Sequence, residues 1–181
     1  DIIGRTDLIE QISRGSEHLD DLDLNPLLVR VDSPYPSYCT QLGRNEPPQA
    51  LDHEFLDQAP GFFERGEKKQ LVFTVRNTQR AIGTRASSHI VRKYGMDGLP
   101  EDRLWVTLEG SCGQSLGAFG VKGLTLEVIG DANDYVGKGL SGATIIIRPP
   151  STARYVAKDN TIIGNTVLYG ATSGKLFAAG Q

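Results

Sequence analysis

Apolar and polar residues follow no sustained period over residues 1–70. Short helical patterns cover 7–13 and 50–58, and Pro60-Gly61 is expected to end the second of them. Between them, residues 33–49 read SPYPSYCTQLGRNEPPQ, and their four prolines favour an extended segment. We interpret residues 1–70 as an arm or linker of short helices and extended chain that lies over another surface.

A regular pattern begins after residue 70. LVFTVRN at 71–77 is rich in β-branched and aromatic residues and predicts a strand. Apolar residues between positions 84 and 94 then fall on one face of a helix, which Gly95 is expected to end. We assign residues 71–181 to one domain that contains this helix near 84–94.

From Leu104 onward the chain repeats itself in lines of twenty residues. Each line opens with a leucine-rich or β-branched stretch and closes in a glycine-rich turn, and the third line fits better when it is shifted by one residue. Matching columns hold Gly110, Gly130 and Gly170 in one case and Gly117 and Gly137 in another.

A repeat of this length indicates that each line is one structural unit stacked on the next. The units carry strand signals and no helical periodicity, which favours a mainly β solenoid with coils of about twenty residues. Glycines would then stand at the corners, where the backbone needs a positive φ or a close approach. The alternative is an ordinary β-sandwich with regularly spaced turns.

Composition indicates a soluble globular chain, with 39% hydrophobic and 23% charged residues. The net charge of −3 offers no basic surface for nucleic acid or for an anionic membrane. The longest apolar runs are too short to span a bilayer, and two cysteines suit a reducing cytoplasm. The start at Asp1 and the end at Gln181, in the middle of a repeat, lead us to expect a piece of a longer protein.

GKGLSG at 137–142 has the spacing G-x-G-x-x-G of a dinucleotide-binding loop. Such a loop follows a buried strand and opens a helix, because the helix N-terminus binds the pyrophosphate. Here ATIIIRPP follows, which predicts a strand that ends at two prolines. We therefore predict that these glycines form corners of the coils and bind no nucleotide.

GQSLG at 113–117 matches the G-x-S-x-G turn that presents the nucleophile of α/β-hydrolases. In that fold the histidine of the triad comes after the serine. The segment after Ser115 is not helical, and a hydrolase site is excluded because all three histidines precede the serine: His18, His53 and His89.

The remaining chemistry-bearing residues form no recognisable site. Cys112 has no histidine near it in the sequence, and we predict a small, buried, apolar role for its thiol. The cysteines and histidines lack zinc spacing, and the acidic segment at 18–23 is interpreted as a solvated turn. A carbohydrate-active β-helix would need clustered carboxylates, whereas the acids of the repeats fall in different columns: Glu109, Glu127, Asp131 and Asp134.

Several segments together resemble the C-terminal glycine-rich domain of the large subunit of glutamate synthase. They are NTQRAIGTRASSHIVRKYG (77–95), GQSLGAF (113–119), GDANDYVGKGLSG (130–142) and NTIIGNTVLYGATSGKLFAAGQ (160–181). GRTDLIEQISRG at 4–15 extends the resemblance over essentially the whole chain, which is most similar to the bacterial, NADPH-dependent kind. The resemblance implies a right-handed parallel β-helix that continues for further coils beyond Gln181.

The resemblance also implies a function for the longer protein. Glutamate synthase forms two L-glutamates from L-glutamine and 2-oxoglutarate with two electrons. In the family, an upstream amidotransferase domain releases ammonia, and an upstream barrel domain with FMN and a 3Fe–4S cluster uses it. A small partner subunit with FAD and 4Fe–4S clusters oxidises NADPH.

None of these family sites maps onto the present residues. The resemblance therefore implies that this segment contributes no catalytic, cofactor-binding or metal-binding residue, and that it braces the amidotransferase and barrel domains. The alternative is a stand-alone β-helix subunit of another oxidoreductase, such as formylmethanofuran dehydrogenase. The proline-rich segment and the helices before residue 70 favour glutamate synthase over that alternative.

Overall fold

A computed structural model describes residues 46–181 and, before them, residues 8, 12–13, 15–17, 34–36 and 38–44. The chain divides into two compact units, Asp1–Pro47 and Pro48–Gln181. The helix expected over 7–13 lies largely outside the described residues, and the acidic segment at 18–23 lies wholly outside them. All helices and strands described below belong to the second unit.

The second unit contains five strands, three α-helices and one short 3₁₀ helix. In chain order they are α1 (Asp52–Gln58), α2 (Pro60–Arg65), β1 (Lys69–Val75), α3 (Thr84–Tyr94), β2 (Leu104–Cys112), β3 (Leu124–Ala132), β4 (Ser141–Arg148), the 3₁₀ helix (Ala157–Asp159) and β5 (Ser173–Ala178). α3 thus occupies the residues over which the sequence predicts a helix. Across the described residues, no helix combines the length and the apolar character needed to cross a membrane.

The five strands form one parallel sheet in the order β1-β2-β3-β4-β5, so each strand pairs with its neighbour in the chain. Alternate residues of the four strands β1 to β4 are buried, because successive side chains of a strand point to opposite faces. The prediction of a mainly β chain is confirmed. The strands run parallel, as the solenoid interpretation requires, whereas a β-sandwich would have antiparallel sheets.

One inward-facing row shows how the strands stack. Leu71 pairs with Val106, Val106 with Leu126, and Leu126 with Ile145. All four side chains are buried and belong to a single apolar cluster. Apolar side chains of adjacent strands therefore lie directly above one another and fill the inner side of the sheet.

The repeat of twenty residues holds for the middle of the sheet only. Leu104 pairs with Leu124, twenty residues on, and Thr125 pairs with Thr144, nineteen residues on, which confirms the shift by one residue in the third line. The next step is longer, because Thr144 pairs with Lys175. An inserted segment that contains the 3₁₀ helix delays β5.

That insertion makes one predicted column wrong. Gly110 pairs with Gly130 as predicted, but Gly170 does not continue their column, since it lies in the turn before β5. The second predicted column is confirmed, because Gly117 and Gly137 both have φ of 65°. The N–H of Gly117 donates to the carbonyl of Ile82, and the N–H of Gly137 donates to that of Leu116.

The helices before the sheet differ from expectation at Pro60. The sequence predicts that Pro60-Gly61 ends helical structure, and α1 does end at Gln58. Pro60 then begins α2, because proline is tolerated at the first position of a helix, where its missing N–H has no partner to lose. Phe55 of α1 and Phe62 of α2 are buried, and the ring of Phe55 lies 5.1 Å from that of Phe73 in β1.

Candidate functional site

The glycine-rich segments fold into three similar turns, at 115–119, 135–139 and 166–170, which we call the glycine turns. The first, third and fifth residues of each have positive φ: Ser115, Gly117, Phe119, Tyr135, Gly137, Gly139, Thr166, Leu168 and Gly170. Hydrogen bonds join consecutive turns. The N–H of Gly137 donates to the carbonyl of Leu116, and the N–H of Leu168 donates to that of Val136, both at 2.8 Å.

The glycines of GKGLSG leave no space for a pyrophosphate, because the protein itself fills the positions of the missing side chains. A Cβ built on Gly137 would lie 2.8 Å from Cδ2 of Leu168, and one on Gly139 would lie 2.6 Å from the ring of Phe119. The segment leads into strand β4, as predicted, and no helix N-terminus follows it. This geometry disfavours the dinucleotide-binding interpretation, and these glycines allow the turns to stack closely.

Ser115 of GQSLG is likewise a turn residue, with φ of 66°. Two of the three histidines are described: Nδ1 of His53 lies 2.9 Å from the carbonyl oxygen of Ala50, and the ring of His89 packs on Phe63. Across the described part of the chain, no hydrogen bond joins a histidine to Ser115. The hydrolase interpretation therefore has no support in the geometry.

Cys112 is fully buried in the apolar cluster, which confirms its predicted role. Burial raises the pKa of its thiol to about 12, and the charge of Asp131 adds to the effect. The thiol is therefore protonated at neutral pH, and the thiolate that a nucleophile or metal ligand requires is not formed. Cys39, by contrast, is exposed.

A buried carboxylate, Asp52 of α1, was not singled out from the sequence. Its two oxygens accept hydrogen bonds from the N–H groups of Gly83, at 2.8 Å, and Ala86, at 2.9 Å, at the start of α3. Gly83 has no side chain that could cap this helix, so Asp52 supplies the capping acceptor from a distant part of the chain. No local motif signals this contact, because the partners lie more than thirty residues apart.

The outward face of the sheet carries a second polar cluster, around Glu127 of β3. Its Oε2 accepts hydrogen bonds from Nε1 of Trp105 and Oγ1 of Thr107, at 3.2 and 3.4 Å. Its Oε1 lies 2.9 Å from both Nε and Nη2 of Arg148. With these donors the carboxylate is paired on both oxygens, an arrangement that stabilises neighbouring strands and leaves no free base.

The acids of the repeats do not share a column, as predicted. Glu109 pairs across the sheet with Ile129, Glu127 with Thr107, and Asp131 with Ser111. The paired carboxylates of a glycoside hydrolase are therefore not assembled on this sheet. Among the described residues, no group of three or more histidine, cysteine or acidic side chains is placed to hold a metal ion.

A cleft of about 530 Å³ lies beside the starts of β4 and β5. Lys122 and Glu101 line it, and Nζ of Lys175 lies 2.7 Å from Oε2 of Glu101. This ion pair is about half exposed, so water screens it and it contributes little to stability. The cleft contains neither histidine nor cysteine, and its charges are largely balanced within it.

Comparison with known proteins gives a consistent result. A family model described as GXGXG motif matches residues 52–181. Over its whole length the chain is 61% identical to the glutamate synthase [NADPH] large chain of Azospirillum brasilense, of which it covers 12%. It is also 37% identical over its whole length to the glutamate synthase [NADH] of Saccharomyces cerevisiae, of which it covers 9%.

A third relative matches a shorter part. Over 58% of the chain, the identity is 50% to ferredoxin-dependent glutamate synthase 2 of Synechocystis sp., of which 7% is covered. The chain thus spans about a tenth of the length of the curated relatives it matches.

Proposed function

Because the chain belongs to the GXGXG-motif family, we propose that it forms a non-catalytic, structural domain of a glutamate synthase large chain. The observation that carries the proposal is the 61% identity to the Azospirillum large chain over the whole of the present sequence. This similarity includes the residues before 52, which the family model does not cover. It therefore favours glutamate synthase over a stand-alone subunit that shares only the glycine-rich fold.

The domain is wound as a right-handed parallel β-helix in this proposal. Support comes from the sequential order of five parallel strands and from the hydrogen bonds that join consecutive glycine turns. Each coil then consists of one strand, one glycine turn and a return segment. The division at residue 70 into an arm and a β-helix domain stays a prediction. The continuation of the coils beyond residue 181 stays a prediction as well.

The longer protein converts L-glutamine and 2-oxoglutarate, with two electrons, into two L-glutamates in the cytoplasm. An amidotransferase domain and a barrel domain with FMN and a 3Fe–4S cluster, both outside this chain, perform the chemistry. A small subunit with FAD and 4Fe–4S clusters passes electrons from NADPH. The present segment holds no catalytic, cofactor-binding or metal-binding residue of that reaction.

A structural role has a physical reason in such an enzyme. Ammonia released at one site must reach the other without escaping to water, so the two catalytic domains must keep a fixed separation and orientation. Stacked strands with a close-packed core resist bending, because each coil is hydrogen-bonded to the next. The domain is therefore suited to brace its neighbours.

The test is the Gly137→Val substitution in the full-length protein. Valine at φ of 65° is strained and meets Leu168, which we expect to lower the free energy of unfolding by about 1–3 kcal/mol. Gly95→Val is the matched control, because Gly95 has φ of 79° but no atom within 4 Å of an added Cβ. Glutaminase activity, glutamate synthesis from added ammonia and glutamate synthesis from glutamine are measured per folded molecule.

If the role of the domain is structural, Gly137→Val should lower the melting temperature and the coupling of the two half-reactions more than Gly95→Val does. Each half-reaction alone should persist. Complete loss of one half-reaction, with melting temperature and coupling intact, would show that the turn belongs to a catalytic site and would contradict the proposal.

A further inference from the structure

A shortened copy of the glycine turns precedes them in the chain, at residues 81–83, which we call the short turn. Ala81 and Gly83 have positive φ, of 52° and 91°, like the first and third residues of each glycine turn. Ile82 between them is buried, as is the second residue of the first glycine turn. The short turn ends at its third residue, because α3 begins at the next one.

Two kinds of backbone hydrogen bond join each turn to its neighbours. The first residue of a turn donates its N–H to the carbonyl just before the following turn, and the third residue donates to the second residue of the preceding turn. The short turn obeys both rules. The N–H of Ala81 donates to the carbonyl of Gln114, at 2.9 Å, and the carbonyl of Ile82 accepts the N–H of Gly117, at 2.8 Å. The short turn is therefore the first turn of the stack.

By the same rule, the N–H of Gly83 requires a carbonyl from an earlier turn. Within residues 48–181, all of which the structure describes, the elements before the short turn are α1, α2 and β1, and none of them supplies such a turn. Oδ1 of Asp52 accepts this N–H instead, at 2.8 Å. The third residues of the three glycine turns donate at the same distance: Gly117, Gly137 and Leu168. The carboxylate thus occupies the position of the missing carbonyl.

A second side chain replaces the missing fifth residue of the short turn. In the first two glycine turns, the N–H of the fifth residue donates to the carbonyl of the fourth residue in the next turn, as Phe119 does to Lys138. In the short turn, Oγ1 of Thr84 donates to the equivalent carbonyl, that of Ala118, at 2.9 Å. Ala118 is buried, so water has little access to replace this donor.

We propose that Asp52 and Thr84 together close the start of the turn stack, the carboxylate as the missing acceptor and the hydroxyl as the missing donor. The end of a hydrogen-bonded stack has backbone groups without partners, and such groups are unfavourable when they are buried. This role goes beyond the capping of α3, because it makes the order of the following turns depend on these two side chains. It is independent of the proposed function.

Hydrogen exchange in the full-length protein, resolved to single amides by mass spectrometry, tests the role of Asp52. Asp52→Ala should speed exchange of the Gly117 N–H about tenfold and that of Gly137 less, because the disturbance weakens along the stack. Phe55→Leu is the matched control: Phe55 is buried in the same helix and packs on β1, so its loss should affect both amides equally. Equal acceleration in Asp52→Ala, or acceleration confined to Ala86 in α3, would overturn the proposal.

The native protein provides a test that does not depend on the folding of a variant. The N–H of Gly83 should exchange as slowly as that of Gly117, since both have an acceptor at 2.8 Å. Exchange of the Gly83 N–H at the rate of an exposed amide would show that the start of the stack is open, and the proposal would be wrong.

Two substitutions at Thr84 separate its hydroxyl from its shape. The N–H of Phe119 reports on this contact, because it belongs to the same peptide unit as the carbonyl of Ala118. Thr84→Val removes the donor and should speed exchange of the Phe119 N–H severalfold, whereas Thr84→Ser keeps the donor and should leave it unchanged. Unchanged exchange in Thr84→Val, or equal acceleration in both variants, would overturn the role of the hydroxyl. Neither experiment measures activity, so both can fail while the proposed function stands.

Discussion

At the scale of single residues, glycine stands where a neighbouring backbone comes too close for a side chain. Gly130 is the clearest position: an added Cβ would fall on the carbonyl oxygen of Gly110 in the adjacent strand. Gly110 in turn faces the carbonyl oxygen of Val75, so the column continues across three strands. Because these contacts involve backbone atoms, they cannot be relieved by a change of rotamer.

This contact predicts a large difference between two alanine substitutions. Gly130→Ala should lower the free energy of unfolding by about 2–4 kcal/mol, because both backbone strain and overlap with Gly110 oppose it. Gly170→Ala should cost only about 1 kcal/mol, since its φ is 68° but the space around it is open. Urea denaturation of the two variants measures the difference. Equal losses would show that conformational strain alone selects glycine here.

At the scale of secondary structure, one carboxylate joins two helices. Asp52 of α1 accepts the N–H groups of Gly83 and Ala86 at the start of α3, and it is fully buried. The contact compensates for the absence of a capping side chain at Gly83. It also holds α1 against α3, so the packing of these two helices depends on this one side chain.

Removal of this carboxylate should destabilise the domain. Asp52→Ala leaves two buried N–H groups without an acceptor and should lower the free energy of unfolding by about 2–4 kcal/mol. Asp57→Ala, at an exposed position of the same helix, should change it by less than about 0.5 kcal/mol. Chemical denaturation of both variants makes the comparison. Similar values for the two would show that Asp52 does not cap α3.

The pH dependence of stability has a defined sign at Asp52. Burial raises the pKa of this carboxyl above its usual value of 3.8, although the N–H groups of Gly83, Ala86 and Arg85 and the charge of His53 oppose the shift. The folded state therefore binds the proton more tightly than the unfolded state, and this contribution is complete below 3.8 and lost as pH rises through the folded pKa.

The unfolding free energy of the native chain, relative to Asp52→Asn, should consequently decrease as pH rises from 3.8 through the raised pKa of the folded state. The asparagine variant serves as reference because it does not titrate in this range. Parallel urea titrations at several pH values measure the difference. An increase with pH would mean that the backbone hydrogen bonds outweigh burial, so that the folded pKa lies below 3.8.

At the scale of the whole molecule, the inner rows of the sheet and the stacked glycine turns form one continuous packed structure. The buried apolar residues of β1 to β4, together with Phe55, Ile82 and Leu140, belong to a single cluster. The space beside the glycines of GKGLSG is occupied by Leu168 and Phe119. The molecule thus uses a sequence pattern typical of nucleotide-binding loops to pack protein against protein.

Calorimetric titration of the chain with NADPH, NADP⁺ and FMN should accordingly give no saturable heat. A loop of this kind binds pyrophosphate only when a helix begins behind it, and here β4 follows. A known NADPH-binding protein in the same buffer verifies that binding would be detected. Saturable binding of any of the three compounds would show that the turns open to admit a ligand.

The sequence by itself determined the elements with a strong local signal. The β-branched runs of β2, β3 and β4 specify strands, and the spacing of apolar residues specifies α3 between Thr84 and Tyr94. The step between β2 and β3 could also be predicted, since equal repeats place equivalent residues side by side. These features depend on residues close together in the chain, which a sequence displays directly.

Only the tertiary structure decided the register of β5, the helix that begins at Pro60 and the contact of Asp52 with α3. The sequence predicts that Gly170 continues the column of Gly110 and Gly130, but the register of β5 follows from its hydrogen bonds to β4, and the insertion before β5 breaks the period. α2 forms because burial of Phe62 supports a helix too short to be stable alone. Asp52 is specified by a partner more than thirty residues away, and such a pairing exists only once the chain has folded.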